Sequence, residues 1–228
     1  MEVEFLELEI EPALAMKHSG LRALVQLMDG VVVKKSVDSL EDFKKAVALE
    51  VKAQYRLETL KGVAAFRAYR DFFWGVGIDP TKTRPAAEAL IRRILADKPL
   101  PTVNTLVDAY NLASVKTGIA LAAFDSQMLQ GNLLMHAAEP GGEFLGIGMK
   151  KPMNLSGGEI VISDARKIIA VYPYRDADSS KVTERTKSIV LIVCGCPGID
   201  TVQLLSAKQV ACDLISRFCM QEARSPDG

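Results

Sequence analysis

Asn104, Asp108 and Asn111 lie four and three residues apart in the stretch V-N-T-L-V-D-A-Y-N-L-A-S-V-K-T-G-I-A-L-A-A-F-D, residues 103–125. On a helix these spacings put all three side chains on one face. Short amides and carboxylates are mediocre helix formers, because they hydrogen-bond competing backbone groups. A helix that needed only solubility would carry Lys and Glu there. The register therefore reads as a fixed hydrogen-bond network, structural or ligand-binding, or else as a solvated face of weak helix formers. If it binds a ligand, its chemistry is orientation: holding a water, or pairing a carboxylate with an ammonium. An apolar stripe of Val103, Leu106, Val107 and Tyr110 runs beside it.

Other catalytic arrangements are scarce. His18 and His136 are the only histidines, and no G-x-S-x-G, P-loop or H-E-x-x-H occurs. His136 follows Leu133-Leu134-Met135 in a strand-like run; it reads as a general base or as an ordinary hydrogen-bonding residue. Cys194-Gly-Cys196, with Cys212 and Cys219, could make a four-thiolate zinc site. The spacing departs from paired C-x2-C knuckles, and buried reduced cysteines are common, so neither a metal nor a cofactor is expected. Gly141-Gly142 and Gly157-Gly158 could offer backbone N–H groups to an oxyanion, or be hairpin turns. Arg175-Asp176 reads as an internal ion pair or a turn.

The elements that must position these residues segregate along the chain. Alternation in V-E-F-L-E-L-E-I, residues 3–10, predicts a half-exposed strand, and Asp29-Gly30 between apolar flanks predicts a hairpin. Helical spacing covers 40–61, with Ser39 as cap and Asp42 three residues on, and then 63–74. Pro85 suits the first turn of a helix over 84–95. The Lys98-Pro99-Leu100-Pro101 run forces a break before the Asn104 helix. From Gly118 short apolar runs alternate with glycine turns, at 133–138, 143–148, 159–163, 167–172 and 188–195. A last helix runs from about 201 to 220, and the tail 224–228 should fray. Strands and helices that segregate in this way predict an α+β fold with mainly antiparallel strands. One domain over 1–228 is the expected organisation, with 1–62 as its N-terminal strand, hairpin and helix.

Composition bounds the function. Of 228 residues, 49% are hydrophobic and 25% charged, which is the profile of a globular chain. Lys plus Arg equals Asp plus Glu at 28 each, which argues against a large basic surface gripping phosphates irrespective of sequence. A small patch could still form from Lys34-Lys35, Lys44-Lys45, Arg92-Arg93 or Lys150-Lys151, each equally a solvated helix end or loop. Met-Glu-Val-Glu opens no secretory leader, and no apolar run approaches a membrane span. A cytoplasmic protein with no membrane partner and no disulfide framework is expected.

Residues 103–125 resemble the editing module of the phenylalanyl-tRNA synthetase β subunit, its paired third and fourth domains. That module carries a similar N-x-x-V-D-x-x-N helix followed by A-F-D, here Asn104, Val107, Asp108, Asn111 and then Ala123, Phe124, Asp125. F-R-A-Y-R from Phe66, G-V-G-I-D-P from Gly75 and R-P-A-A-E-A-L-I-R-R from Arg84 resemble the free-standing branch of the family. Gly142-Glu143, Gly158-Glu159, Arg175-Asp176 and the T-x-x-T of Thr183 and Thr186 match downstream. The resemblance covers roughly residues 67–199, within a module-like region spanning 63–222. It implies a compact three-layer β/β/α fold and a metal-free site between sheet and helices that clears a wrongly attached amino acid from tRNA.

The resemblance implies roles residue by residue. Asn104, Asp108 and Asn111 become candidate catalytic residues. Tyr110, Ala122, Asp125, His136, Glu143, Glu159 and Ile192 become candidate substrate-binding residues. Three of these positions depart from bacterial members, which carry Thr where Tyr110 stands, His at Ala122 and Glu at Ile192. Such a pocket is more apolar and would discriminate a tyrosine hydroxyl less well. The implied function is an aminoacyl-tRNA deacylase acting in trans, with tRNA or aminoacyl-tRNA as partner. The alternatives are a non-catalytic module binding tRNA or an amino acid, and an assembly protein reusing the fold.

Overall fold

A computed structural model describes residues 6–220. In chain order the elements are β1 (Leu6–Glu7), β2 (Glu9–Ile10), α1 (Pro12–Lys17), β3 (Ala23–Asp29), α2 (Asp38–Gln54), α3 (Ala64–Gly75), α4 (Ala86–Leu95), α5 (Thr105–Thr117), β4 (Ala120–Asp125), β5 (Leu134–Ala137), β6 (Glu143–Phe144), β7 (Met153–Asn154), β8 (Ile160–Ser163), β9 (Ile168–Val171), β10 (Arg175–Asp176), β11 (Ser188–Cys194) and α6 (Thr201–Cys219).

One sheet has the order β1-β3-β11-β4 and is antiparallel throughout. The other has the order β10-β9-β8-β5-β2, antiparallel except for the β2–β5 pair. β6 and β7 form a separate hairpin. The fold is thus α+β and mainly antiparallel.

Every residue of β4 is buried, so this strand is covered on both faces. Helices α5 and α6 pack on each other along their length; α5 also packs on β4, and α6 on β3 and β11. The second sheet approaches from the other side, where Tyr172 donates its hydroxyl to the Gly195 carbonyl. Tyr69 of α3 ties the ends of β11 and β4 together: its hydroxyl donates to the Cys194 carbonyl and accepts from the Ala120 N–H. Apolar residues from Leu8 to Cys219 join one buried core.

Four expectations need correction. The Asp29-Gly30 turn exists, with Gly30 at φ +73°, but it closes no hairpin. Val31 leaves the strand to bridge Met220, while β3 pairs with β1 and β11. The first strand divides at Leu8 into β1 and β2, which join different sheets; residues 3–5 of that expectation, like the tail 224–228, lie outside the described residues. α2 starts before Ser39, with extended Val37 as its cap residue and no capping side chain. It ends at Gln54, where Tyr55 turns extended and stacks against Phe66.

Candidate functional site

α5 carries the motif and fixes where its polar stripe points. Asn104 caps the helix: its Oδ1 accepts from the Val107 N–H at 2.9 Å, and its amide reaches the Val182 carbonyl at 3.5 Å. Gly118 closes the other end at φ +74°, a left-handed position suited to glycine. Asp108 is 2% exposed. Its carboxylate takes the Lys44 ammonium at 2.6 Å and the Val103 N–H at 3.1 Å. Lys44 also donates to Glu41 and to the Pro101 carbonyl. Burial raises the Asp108 carboxyl above its ordinary range, with Lys44 and Val103 pulling it back only in part. Asn104 and Asp108 are therefore buried and hydrogen-bonded, but to the protein itself. Lys44, read from sequence as part of a small basic patch or a solvated helix end, is the buried partner that binds α2 to α5.

Asn111, one turn further along, points elsewhere. With Tyr110 it lines a cavity of about 200 Å³ between the two sheets. Leu121, Ala122 and Phe124 of β4 and Cys194 of β11 form one wall. Ile162 of β8, Ala170 and Val171 of β9, the Tyr172–Tyr174 turn and Asp176 of β10 form the other, with Arg84 and Ala86 at the α4 end. β4 is the outermost strand of its sheet and β10 of the other, so the cavity opens where two sheet edges and α5 meet.

Asp176 is the acid within it, with Arg84 the other charged residue of the lining. Alternation along β10 turns Arg175 outward and Asp176 inward. Among the described residues no side chain or backbone group hydrogen-bonds its carboxylate, and Arg175 pairs with no acid, so the expected internal ion pair does not form. Burial raises the Asp176 carboxyl to about 7, opposed weakly by the Arg175 charge. Burial also pushes the Tyr110 hydroxyl upward, with Asp176 and Asp108 adding to the effect. The hydroxyl is thus a neutral donor. Neither it nor the Asn111 amide has a hydrogen-bond partner among the described residues. Burial raises the Cys194 thiol as well.

The remaining sequence candidates fall in different places. Ala122 is in the wall. Ile192 is fully buried and pairs with Ala122 across the β11–β4 ladder. Asp125 ends β4 and accepts from the Thr186 hydroxyl at 2.6 Å and the Gln127 N–H at 3.1 Å, while Thr186 accepts from the Thr183 N–H. The A-F-D and T-x-x-T motifs are thus two halves of one structural clasp. His136 on β5 sits 2.9 Å from its neighbour's carbonyl at Ala137 and 2.8 Å from the Ser163 hydroxyl. A carbonyl only accepts, so Nδ1 carries a hydrogen toward it. Glu159 accepts from the Ser156 and Gly157 N–H groups, both at 2.8 Å. The glycine turn therefore does bind an anion, its own neighbour's. Glu143 is exposed on β6, beyond the cavity.

Sequence reasoning left Asp176 inside a dipeptide read as an ion pair or a turn. The signal that finds it is strand alternation, which sends neighbours to opposite faces. Among the described residues no group of three or more His, Cys, Asp or Glu could hold a metal ion, and no helix is long and apolar enough to cross a membrane.

Fold and cavity together mark an α+β protein with a site where two antiparallel sheets meet a helix. The sequence profile of the B3/4 domain matches residues 68–220, more than half of the chain, and the chain belongs to that family. It is 31% identical over 97 residues to the phenylalanine–tRNA ligase beta subunit of Psychrobacter arcticus, covering 42% of this chain and 12% of that one. To the corresponding subunit of Thermotoga maritima it is 29% identical over 92 residues, covering 40% and 12%. The chain therefore matches only a small part of these relatives' length. An N-terminal fragment of the phenylalanyl-tRNA synthetase beta subunit from Pyrococcus horikoshii aligns in three dimensions over 50% of this chain and 40% of its own, with a TM-score of 0.43 and 16% identity.

Proposed function

We propose that the cavity receives the aminoacyl end of a tRNA and hydrolyses a wrongly attached amino acid in trans. The observation that carries this reading is the unpartnered Asp176 carboxylate, set beside the unpartnered Asn111 amide and Tyr110 hydroxyl in a member of the B3/4 family. A carboxyl that titrates near neutral pH is matched to general-base work. Asp176 takes a proton from an attacking water as the water oxygen bonds to the ester carbonyl carbon. The tetrahedral centre then collapses, the bond to the ribose oxygen breaks, and the proton passes to that oxygen. Asn111 and Tyr110 donate toward the developing oxyanion. Asn104 and Asp108 hold the first turn of α5 and so aim Asn111; they are positioning residues.

Ala122, Phe124, Ile162, Ala170 and Val171 take the amino-acid side chain. A dry cavity of about 150 Å³ admits a benzene-sized group, so this slightly larger space suits a branched aliphatic or a benzyl group. The protein should release such an amino acid from its tRNA ester faster than buffer does, and Asp176→Asn should remove that release. A panel of tRNAs charged with different amino acids tests this. Absence of release from every member would leave a non-catalytic binding module, a reading favoured by the apolar Ala122 and Ile192.

A further inference from the structure

Cations are distributed unevenly over the molecule. In the helical half several are held: Lys44 by Glu41 and Asp108, Lys45 by Asp42, Lys52 by Asp97, Arg70 and Arg92 by Glu88, Lys82 by Asp79, and Lys116 by Glu50. Between residues 118 and 200, Lys181–Asp178 is the single ion pair among the described residues with both members in that stretch. Several acids there are turned to other partners. Asp125 accepts from Thr186, Glu159 from two backbone N–H groups, Asp164 from those of Gln130, Arg166 and Lys167, and Asp176 faces the cavity. Lys150, Lys151, Arg166, Lys167 and Arg175 keep no ion-pair partner among the described residues, and neither do Arg185 and Lys187 further along.

Arg166, Lys167 and Arg175 lie on or beside β10, and Lys150 and Lys151 sit in a loop attached to it. Arg166 and Lys167 line a groove of about 490 Å³ whose other walls are residues 142–145 of the β6 segment and residues 177–179, just past β10. Arg175 lies across Gly146, where an added methyl would come within 2.6 Å of its Cδ. The loop that carries Lys150 and Lys151 is pinned to β10 by the Ile147–Asp176 and Asp178–Leu145 backbone bonds. Leu145 and Ile147 are exposed in the same loop. Asp176 lines the cavity while its neighbours Ala177 and Asp178 line the groove, so the two sites are a single residue step apart.

We infer that this β10 face binds the phosphodiester backbone of the RNA whose aminoacyl end enters the cavity. The inference rests on the aminoacyl-tRNA reading for its partner. Free cations beside exposed aliphatic side chains suit a sugar–phosphate strand, because lysine and arginine neutralise the phosphates while Leu145 and Ile147 meet riboses or bases. Glu143, exposed in the groove, and Asp178, already paired with Lys181, are the opposing charges. A competing groove between α2 and α4, lined by Lys44, Lys45, Lys52 and Lys98, has three of its four lysines already neutralised.

The test uses uncharged transfer RNA, so the outcome does not depend on whether the cavity hydrolyses an ester. Binding is followed by fluorescence anisotropy across a salt series, with thermal melting to confirm folding. The combined variant Lys150→Glu, Lys151→Glu, Arg166→Glu, Lys167→Glu should bind at least ~10-fold more weakly. The slope of log K against log salt should fall by about 3, since each lost phosphate contact removes about 0.7–0.9. Glu143→Gln should bind more tightly than wild type. Lys45→Glu with Lys98→Glu, on the competing groove, should change binding less than ~2-fold. No measurable binding by wild type, an unchanged slope in the four-site variant, or equal weakening by the control pair would each overturn the inference.

Discussion

Replacing Asp176 by Asn should stabilise the protein at neutral and alkaline pH, and the size of the gain follows from burial. The carboxyl titrates at about 7 in the fold, against an ordinary 3.8. A raised acid binds its proton more tightly in the folded than in the unfolded state. Stability is then full below about pH 4, falls as pH rises through the window between those two values, and is lowest above about pH 7. The whole gap corresponds to about 4 kcal/mol. Water entering the cavity reduces the effective penalty, which leaves about 2–4 kcal/mol. Asn keeps the shape and carries no charge, so the variant should match wild type at pH 4 and exceed it by that amount at pH 8. Urea titrations at pH 4, 5, 6, 7 and 8, compared as variant minus wild type, isolate Asp176 from every other titrating group. Parallel pH profiles for the two proteins would refute the reasoning and return Asp176 to the solvated carboxylates.

Other substitutions test the scaffold around the site. Asp108→Ala leaves the Lys44 ammonium buried without its closest acid and should cost about 3 kcal/mol, measured by urea midpoint. Lys44→Met with Asp108→Leu should recover most of that loss. Asn104→Ala removes the α5 cap and should cost about 1 kcal/mol, with a larger proportional loss in amino-acid release, because Asn111 is aimed by the same turn. Tyr69→Phe leaves the Ala120 N–H without its acceptor between the two strands and should cost about 1–3 kcal/mol by thermal or chemical denaturation.

Much of this architecture is legible in the sequence because it is local. Helical spacing, Pro85 and Gly118 are enough to place α4 and α5, and the shift to short apolar runs separated by glycines marks the β region. What the sequence hides is long-range pairing. Nothing near Asp29-Gly30 says that β3 seeks β11 more than 150 residues away, or that residues on either side of Leu8 enter different sheets. The same limit governs the site. The polar stripe on α5 is a real periodic signal, but a partner 64 residues upstream, Lys44, takes Asp108 out of the cavity. Thr186 does the same to Asp125. Asp176 is seen in the sequence but not as a site residue, for the opposite reason: its neighbour Arg175 offers an ion pair on paper, and strand geometry turns the two side chains apart.

The pH–rate profile of amino-acid release from a misacylated tRNA, wild type against Asp176→Asn, tests the central claim most directly. With buffer hydrolysis subtracted, the wild-type rate should rise with an apparent pKa near 7, as the Asp176 carboxylate becomes free to accept a proton. The variant should lose that step and fall by about 100-fold or more at pH 8, the usual contribution of a general base. Equal rates and identical profiles for the two proteins would contradict the account and place the chemistry elsewhere on the chain.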